Sequence, residues 1–315
     1  MMKIAVSGCL LGEKIRFDKG HKRDDFVMDE LSAYAEYISF CPENLAFGSP
    51  RPSIRMVKED EKLNIISNKT GDNLTDELLE KSNQELEKIN TKDLRAIIFK
   101  SKSPTCGMSS SKVYLPNGFA EGKDDGVFAG LCKEAFPYLP MEEEGRLCDP
   151  WLRENFVMQL FAYDAFENFK EGAQMKSLVL FHQSYKFLLQ SKDEKSYREL
   201  GKIVGSHDGK DFESTFKEYE KLFKIAISKK SSVGKTRNVL EHMAGFLKNF
   251  LDSDEKKILH EQIDDYAGKI LPVIVPLSTL YIYAKKYDVE YLLGQKFIHP
   301  YPKELALRSD IKSVK

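Results

Sequence analysis

Three cysteines stand at or just past the ends of short apolar runs: KIAVSG leads to Cys9, YISF to Cys41, and LRAIIFKSKSP to Cys106. Runs of this kind, closed by Gly or Pro, are strand signals, and the carboxyl ends of strands are where open α/β sheets place ligands. If the three strands are neighbours, thiols separated by 32 and 65 residues meet in one cleft. Three thiolates together make a soft metal site; the alternative is three separately buried core cysteines. Zinc usually takes four ligands and often a CxxC pair, which this chain lacks, and the only histidine near these motifs is His21. Iron–sulfur clusters are held by thiolates. Three thiolates on a four-iron, four-sulfur cube leave one iron open, which suits Lewis-acid chemistry on a soft atom such as sulfur.

Polar side chains accompany two of these cysteines. Glu43 follows Cys41 past Pro42 and could act as a general acid or base, or simply be a carboxylate near a helix start. Ser103 and Thr105 flank Pro104 ahead of Cys106, with Ser101 slightly upstream. These hydroxyls could bind substrate or relay a proton, although turns use the same residues. Arg51, between Pro50 and Pro52, could bind a phosphate or a base oxygen, or form an ion pair.

The elements that must carry these residues alternate in the first half. Apolar runs at KIAVSGC, YISFCP, LRAIIF and FPYLPM are separated by helical stretches at Phe26 to Glu36, Thr75 to Ile89 with Thr75 as its N-cap, and Val127 to Ala135. This predicts an α/β N-terminal domain with a Rossmann-like or flavodoxin-like parallel sheet. From Asp149 the pattern changes to helices almost throughout. Pro150 opens a long one; Leu178, Phe181, Tyr185 and Leu188 define the next; Tyr197, Leu200 and Val204 another; Phe216, Tyr219, Phe223 and Ile227 a fourth. Val239 to Leu251, Glu255 to Ile270 and Pro276 to Lys286 complete an all-α C-terminal domain, with loops at Gly205 to Gly209 and Ser231 to Gly234. The expected boundaries are 1–150, a connecting helix over 151–170, and a helical domain over 171–315.

Charge and composition narrow the function classes. The chain has 315 residues, 48 Lys and Arg against 49 Asp and Glu, and a net charge of -1, so no global field points to nucleic acid or lipid. At 42% hydrophobic residues each domain can bury a core. No uncharged apolar stretch is long enough to span a membrane, no signal peptide fits the N-terminus, and a cytoplasmic protein is expected. Five cysteines in such a chain are better read as thiols or ligands than as disulfides; Cys132 and Cys148 are assigned to packing. Residues 1–150 hold 21 basic against 26 acidic side chains, and the remainder 27 against 23. The basic excess includes Lys217, Lys221 and Lys224 at helical spacing, then Lys229, Lys230, Lys235 and Arg237. Either a solvated helix face or a phosphate-binding patch fits. GKT at Gly234 to Thr236 lacks the upstream glycine of a phosphate-binding loop, because Lys229 stands there.

The motifs SGCLLG, CPE followed by GSPRP, and KSKSPTCG together resemble the thiouracil desulfidase family over about the first 150 residues. The resemblance implies a [4Fe-4S] cluster on three cysteine ligands, Cys9, Cys41 and Cys106, with proton-transfer roles for Glu43 and for Ser103 in the Ser-Pro-x-Cys-Gly pattern. Where the family often has a further cysteine, this chain reads EKIRFD, which is consistent with three ligands only. FHQSYKFLLQS with YRELG, TRNVLEHMAGFLK, and LPVIVPLSTL followed by HPYPKELALR are similar to a helical domain found fused to this one. The fused form resembles bacterial enzymes that remove sulfur from 4-thiouridine in tRNA. It implies thiolated tRNA as partner, with Lys229, Lys230, Lys235, Arg237, Arg51 and Ser101 as candidate substrate contacts. Free thiouracil or a thionucleoside is the alternative substrate, and a non-enzymatic RNA-binding or redox-sensing module the alternative function.

Overall fold

Leu94 to Phe99 are buried at every position, the mark of a parallel strand covered on both faces. In the computed structural model, which describes residues 1–60, 62–205 and 211–305, this strand lies inside a four-stranded sheet. Along the chain the elements run β1 (Met2–Ser7), β2 (Ala35–Phe40), α1 (Pro42–Phe47), β3 (Ile54–Glu59), β4 (Lys62–Ser67) and α2 (Thr75–Asn90). They continue with β5 (Leu94–Phe99), β6 (Ser111–Tyr114), β7 (Ala120–Asp124), α3 (Val127–Ala135), β8 (Met141–Glu143) and α4 (Glu144–Leu147). The first sheet has the order β2-β1-β5-β8, all parallel, so the strands that precede the three cysteines are immediate neighbours. Phe40, Phe99 and Phe128 pack against one another beneath it, with ring centroids 4.8 to 6.3 Å apart.

Three local expectations fail for identifiable reasons. FPYLPM is not the last strand: only Met141 belongs to it, since Pro137 and Pro140 lack the N–H that a ladder needs, and the strand is Met141–Glu143. Phe26 to Glu36 is not one helix: a single π turn over Phe26–Glu30 and a 3-10 turn over Leu31–Ala33 give way to β2. Ala35 and Glu36 pair with Met2 and Lys3 of β1, and that ladder overrides helical periodicity. Thr75 is not the cap of α2. Its backbone N–H donates to Asn73 Oδ1 at 3.0 Å, while its own hydroxyl oxygen accepts from Ile65 N at 2.8 Å.

A second sheet, β4-β3-β6-β7, has no counterpart in the sequence-based expectations. β3 pairs antiparallel with β4 and parallel with β6, and β7 turns back on β6. Its inner face buries Ile54, Met56, Ile65 and Val113 with Leu78 of α2. Its strands are short and charge-rich, and β7 reads AEGKD and is exposed at every position, so neither apolar runs nor alternation announce it.

The chain divides into two compact units, Met1–Phe156 and Val157–Lys315, and the division falls within α5 (Pro150–Phe169). Asp149 caps that helix, its Oδ1 accepting from Leu152 N at 2.9 Å. The second unit continues with α6 (Met175–Lys192), α7 (Glu194–Gly205), α8 (Phe212–Ser228), α9 (Val233–Leu247), α10 (Ser253–Ala267), α11 (Ile274–Lys286) and α12 (Glu290–Leu293). Phe166, Phe181, Tyr185, Tyr219 and Phe223 form its aromatic centre. Of the two expected loops, 206–209 lies outside the described residues, and Ser231 to Gly234 is shortened because α9 begins at Val233, capped by Ser232 Oγ. No helix of the described residues is long and apolar enough to cross a membrane.

Candidate functional site

Each cysteine is placed by the end of its strand. Cys9 sits in the 3-10 turn Gly8–Leu11 that follows β1 directly, and Cys41 is the residue between β2 and α1. Cys106 lies in the loop between β5 and β6. All three thiols line one cavity of about 360 Å3, together with Glu43, Arg51, Lys100 and Ser103. Space at Gly8 is tight: a Cβ would come within 2.4 Å of Glu13 Oε2 and 2.6 Å of Ser39 Oγ, so those side chains would have to shift.

Ser103 Oγ donates to Glu43 Oε1 at 3.0 Å and accepts from the backbone N–H groups of Thr105 and Cys106, each at 3.2 Å. The other carboxylate oxygen of Glu43 accepts from Arg51 Nη2 at 2.9 Å and Nε at 3.2 Å. Arg51 also donates to the Ile15 carbonyl. Arg51 is therefore an ion-pair partner that orients Glu43, one of the two roles open to it from the sequence. The chain Arg51–Glu43–Ser103–Cys106 joins four residues from two distant stretches of sequence into one hydrogen-bonded line.

The loop bearing Cys106 is clamped from β8 and α4, a feature that sequence reading missed. Glu144 accepts from Ser101 N at 2.6 Å, Ser101 Oγ at 2.8 Å and Lys100 Nζ. Glu143 accepts from Met108 N at 2.6 Å and from Ser110 Oγ. Ser101 is thus tied to protein partners on the cavity wall. Three successive glutamates ending the last short strand, MEEEG, were the available signal, since carboxylates are seldom buried without partners. The first N–H groups of α3 also close on this loop: Val127 N donates to the Pro104 carbonyl at 3.1 Å and Phe128 N to that of Thr105 at 2.9 Å. Gly126 allows this approach, because a Cβ would lie 2.5 Å from the carbonyl carbon of Thr105.

Burial pushes the Cys9 thiol up to about 11 and the Cys41 thiol up to about 12, and holds Cys106 well above the ordinary thiol range. The Glu43 charge adds to all three shifts, whereas Lys100 pulls Cys9 the other way. Without a bound cation the three groups stay protonated at neutral pH; a metal centre would convert them to thiolates. Among the described residues no three His, Cys, Asp or Glu side chains close around a single ion. A cluster asks for something else, one thiolate on each of several irons, and the three soft donors around one cavity fit it. Cys132 is packed in the apolar core, Cys148 is exposed, and His21 is exposed with Nδ1 accepting from Arg23 N, so none of them lines the cavity.

The basic residues of the second unit are not gathered in the same way. Lys235 Nζ donates to the Lys192 carbonyl at 2.6 Å, and Arg237 pairs with Asp264 at 2.7 Å. Lys224 is buried between Glu167 and Glu220, and Lys217 pairs with Glu213. Lys229 and Lys230 are exposed.

Residues 4–144 match a family model described as 2-thiouracil desulfurase, and residues 186–302 match one described as a protein of unknown function, DUF1722. The chain thus joins a 2-thiouracil desulfurase domain in its first unit to a DUF1722 region in its second. Among curated proteins it is 26% identical over 157 residues to the uncharacterized protein YbgA of Escherichia coli (strain K12), covering 49% of this chain and 93% of that protein. Among solved structures it is similar to the [4Fe-4S]-dependent thiouracil desulfidase TudS, with 28% identity and a TM-score of 0.38, over 47% of this chain and 93% of that one.

Proposed function

We propose that the protein is a cluster-dependent desulfidase that converts a thiolated uracil, carried as 4-thiouridine in tRNA, to the oxygen form with release of sulfide. The observation that carries this reading is the convergence of Cys9, Cys41 and Cys106 on one cavity that also holds the Glu43–Ser103 pair, inside a domain matching the desulfurase family. Cys9, Cys41 and Cys106 would hold a [4Fe-4S] cluster, and when bound it would supply an open iron as a soft Lewis acid for the thiocarbonyl sulfur.

The rest of the chemistry falls to the protein. Water adds to the ring carbon and sulfide leaves, so a thiocarbonyl and one water become a carbonyl and one hydrogen sulfide with no change of oxidation state. Glu43, held by Arg51, takes the proton of the attacking water through Oε1. Ser103, bonded to that same oxygen, passes a proton on toward the departing sulfur, so the protons of the water leave on hydrogen sulfide and the ring nitrogen keeps its own. The backbone N–H groups of Thr105 and Cys106 fix the Ser103 hydroxyl so that it faces the carboxylate. Burial of the cavity wall keeps bulk water from competing for these bonds.

The test is single-turnover conversion, after anaerobic cluster reconstitution, of 4-thiouridine in whole tRNA against the free nucleoside and free thiouracil. Loss of thiocarbonyl absorbance mainly in tRNA is the expected result. Conversion of the free base or nucleoside alone would move the substrate to small molecules. No conversion of any of them with the cluster present would leave a sensing or RNA-binding module.

A further inference from the structure

The second sheet carries a row of cations on its outer face. In the antiparallel ladder of β6 and β7, Lys112 stands directly opposite Lys123, and Arg55 of β3 precedes by one residue the parallel pairing of Met56 with Val113. Side chains alternate across a strand. With Met56 and Val113 buried inward, Arg55, Lys112 and Lys123 share the opposite face, on strands about 5 Å apart. Like charges placed directly opposite in a ladder destabilise it. Among the described residues Lys112, Lys123 and Lys102 form no ion pair, and Arg55 donates only to the neutral Asn68 at 2.9 Å.

These four cations, with Asn68 and Tyr114, line a groove of about 490 Å3 that no carboxylate lines. The groove is continuous with the cysteine cavity, since Ile54, Lys102 and Pro104 line both. Lys102, at their junction, is held in the left-handed region at φ 60 by a hydrogen bond from its N–H to Ser110 Oγ at 2.8 Å. A bulky residue in that conformation is strained, and such strain collects at sites of function. Residues 1–150 have an excess of acidic side chains, so a groove with four cations and no anion is not what their composition alone would produce.

We propose that this groove, Arg55–Lys102–Lys112–Lys123, is the docking track for the ribose-phosphate backbone of an RNA whose thiolated nucleotide enters the cysteine cavity. This rests on the desulfidase reading for the substrate, and it places the backbone contacts on the desulfurase domain itself. A sheet surface suits the task because its cations stand in register across strands and meet successive phosphates without rearrangement. Tyr114 and Asn68 add a stacking face and an amide beside the charges.

The test measures binding of the full-length protein to a fluorescein-labelled, unmodified tRNA transcript over a range of salt. Lys112→Gln with Lys123→Gln is expected to weaken binding roughly tenfold at moderate salt and to lower the slope of log K against log salt by about two. Lys102→Gln alone should lower it by about one. The melting temperature of the double variant should not fall, because a repelling pair is removed. Unchanged affinity and slope in both variants would overturn the proposal, as would a loss seen only with Lys229→Gln and Lys230→Gln. The transcript carries no sulfur, so the two readings separate: binding with these signatures supports the track whatever the turnover result, and failure to convert thiolated tRNA in the turnover test removes the substrate assignment alone.

Discussion

The cysteine cavity and the Lys229 to Arg237 segment of the second unit present opposite relations between sequence and space. Cys9, Cys41 and Cys106 are 32 and 65 residues apart and line one cavity. Lys235 and Arg237 are two residues apart and serve different neighbours, a carbonyl of α6 and a carboxylate of α10. Parallel strands explain the first result, because each returns the chain to the same edge of the sheet and delivers its next residue there. A helix explains the second, since successive positions turn about 100° and scatter over its surface. An address at a strand end therefore carries more functional information than a local run of charge. The cations of the second sheet are also gathered from distant stretches, but by lateral register within β3, β6 and β7 and not by strand ends.

The sharpest way to break this contrast is to remove a strand-end thiol. Cys106→Ser is expected to abolish the cluster absorbance after reconstitution and all turnover, while circular dichroism stays that of the wild type. A variant that retained both would return the cysteines to the packing role. The cavity should still shelter its thiols before any cluster is added. With iodoacetamide at neutral pH, the exposed Cys148 should react well before the buried Cys9 and Cys106, as read by peptide mass.

Next in size is the proposed proton-transfer pair, Glu43 and Ser103. Glu43→Gln should lower single-turnover conversion by about 10²- to 10⁴-fold with cluster content unchanged. Full turnover in this variant would remove Glu43 from the chemistry. Ser103→Ala should lose less, because water can take over part of the hydroxyl's function but not its fixed position between Glu43 and the Cys106 N–H.

A smaller effect is expected from the clamp on the Cys106 loop. Glu143→Ala leaves the Met108 N–H and the Ser110 hydroxyl without their acceptor, at a cost of about 1 to 3 kcal/mol. Because that loop bears Cys106, a proposed ligand, cluster retention during dilution should fall about 10- to 100-fold, as for partners that orient metal ligands. Lower stability with unchanged cluster retention would make Glu143 a structural residue only.

How much was legible follows from these same residues. The parallel sheet and the helical second unit were readable, because Leu94 to Phe99 make a short, mostly apolar run that is buried at every position, and Tyr219, Phe223 and Ile227 of α8 recur at helical spacing and are buried. The placement of the cysteines at strand ends followed from the Gly and Pro residues that close those runs, whereas the bond between Ser103 and Glu43 joins positions 60 residues apart and had no local signal. The second sheet was not readable. Its inner face needs only Ile54, Met56, Ile65 and Val113, and strands such as AEGKD form because β6 offers an edge, not because their own residues favour it. The run MEEEG signalled carboxylates in need of partners but not which partners, and Gly126 gave no signal, because each contacts a loop far from it along the chain, which no local pattern encodes.

The smallest expected effect belongs to the second unit and tests whether its interior is inert packing. His182 accepts or donates at Nδ1 with the Tyr219 hydroxyl at 3.2 Å and stacks on Tyr197. Burial, with Lys186 adding to it, lowers its pKa from 6.5 to about 4. The folded state therefore binds fewer protons than the unfolded chain between these values, so stability is full above pH 6.5 and falls as pH drops toward 4. The slope is at most about 1.4 kcal/mol per pH unit. Urea midpoints of the wild type should decline over this window, and His182→Gln should flatten the decline while leaving the neutral-pH cluster spectrum as it was. An equal decline in the variant would place the acid sensitivity elsewhere. It would also show that the imidazole is solvated, contrary to the aromatic centre that encloses it.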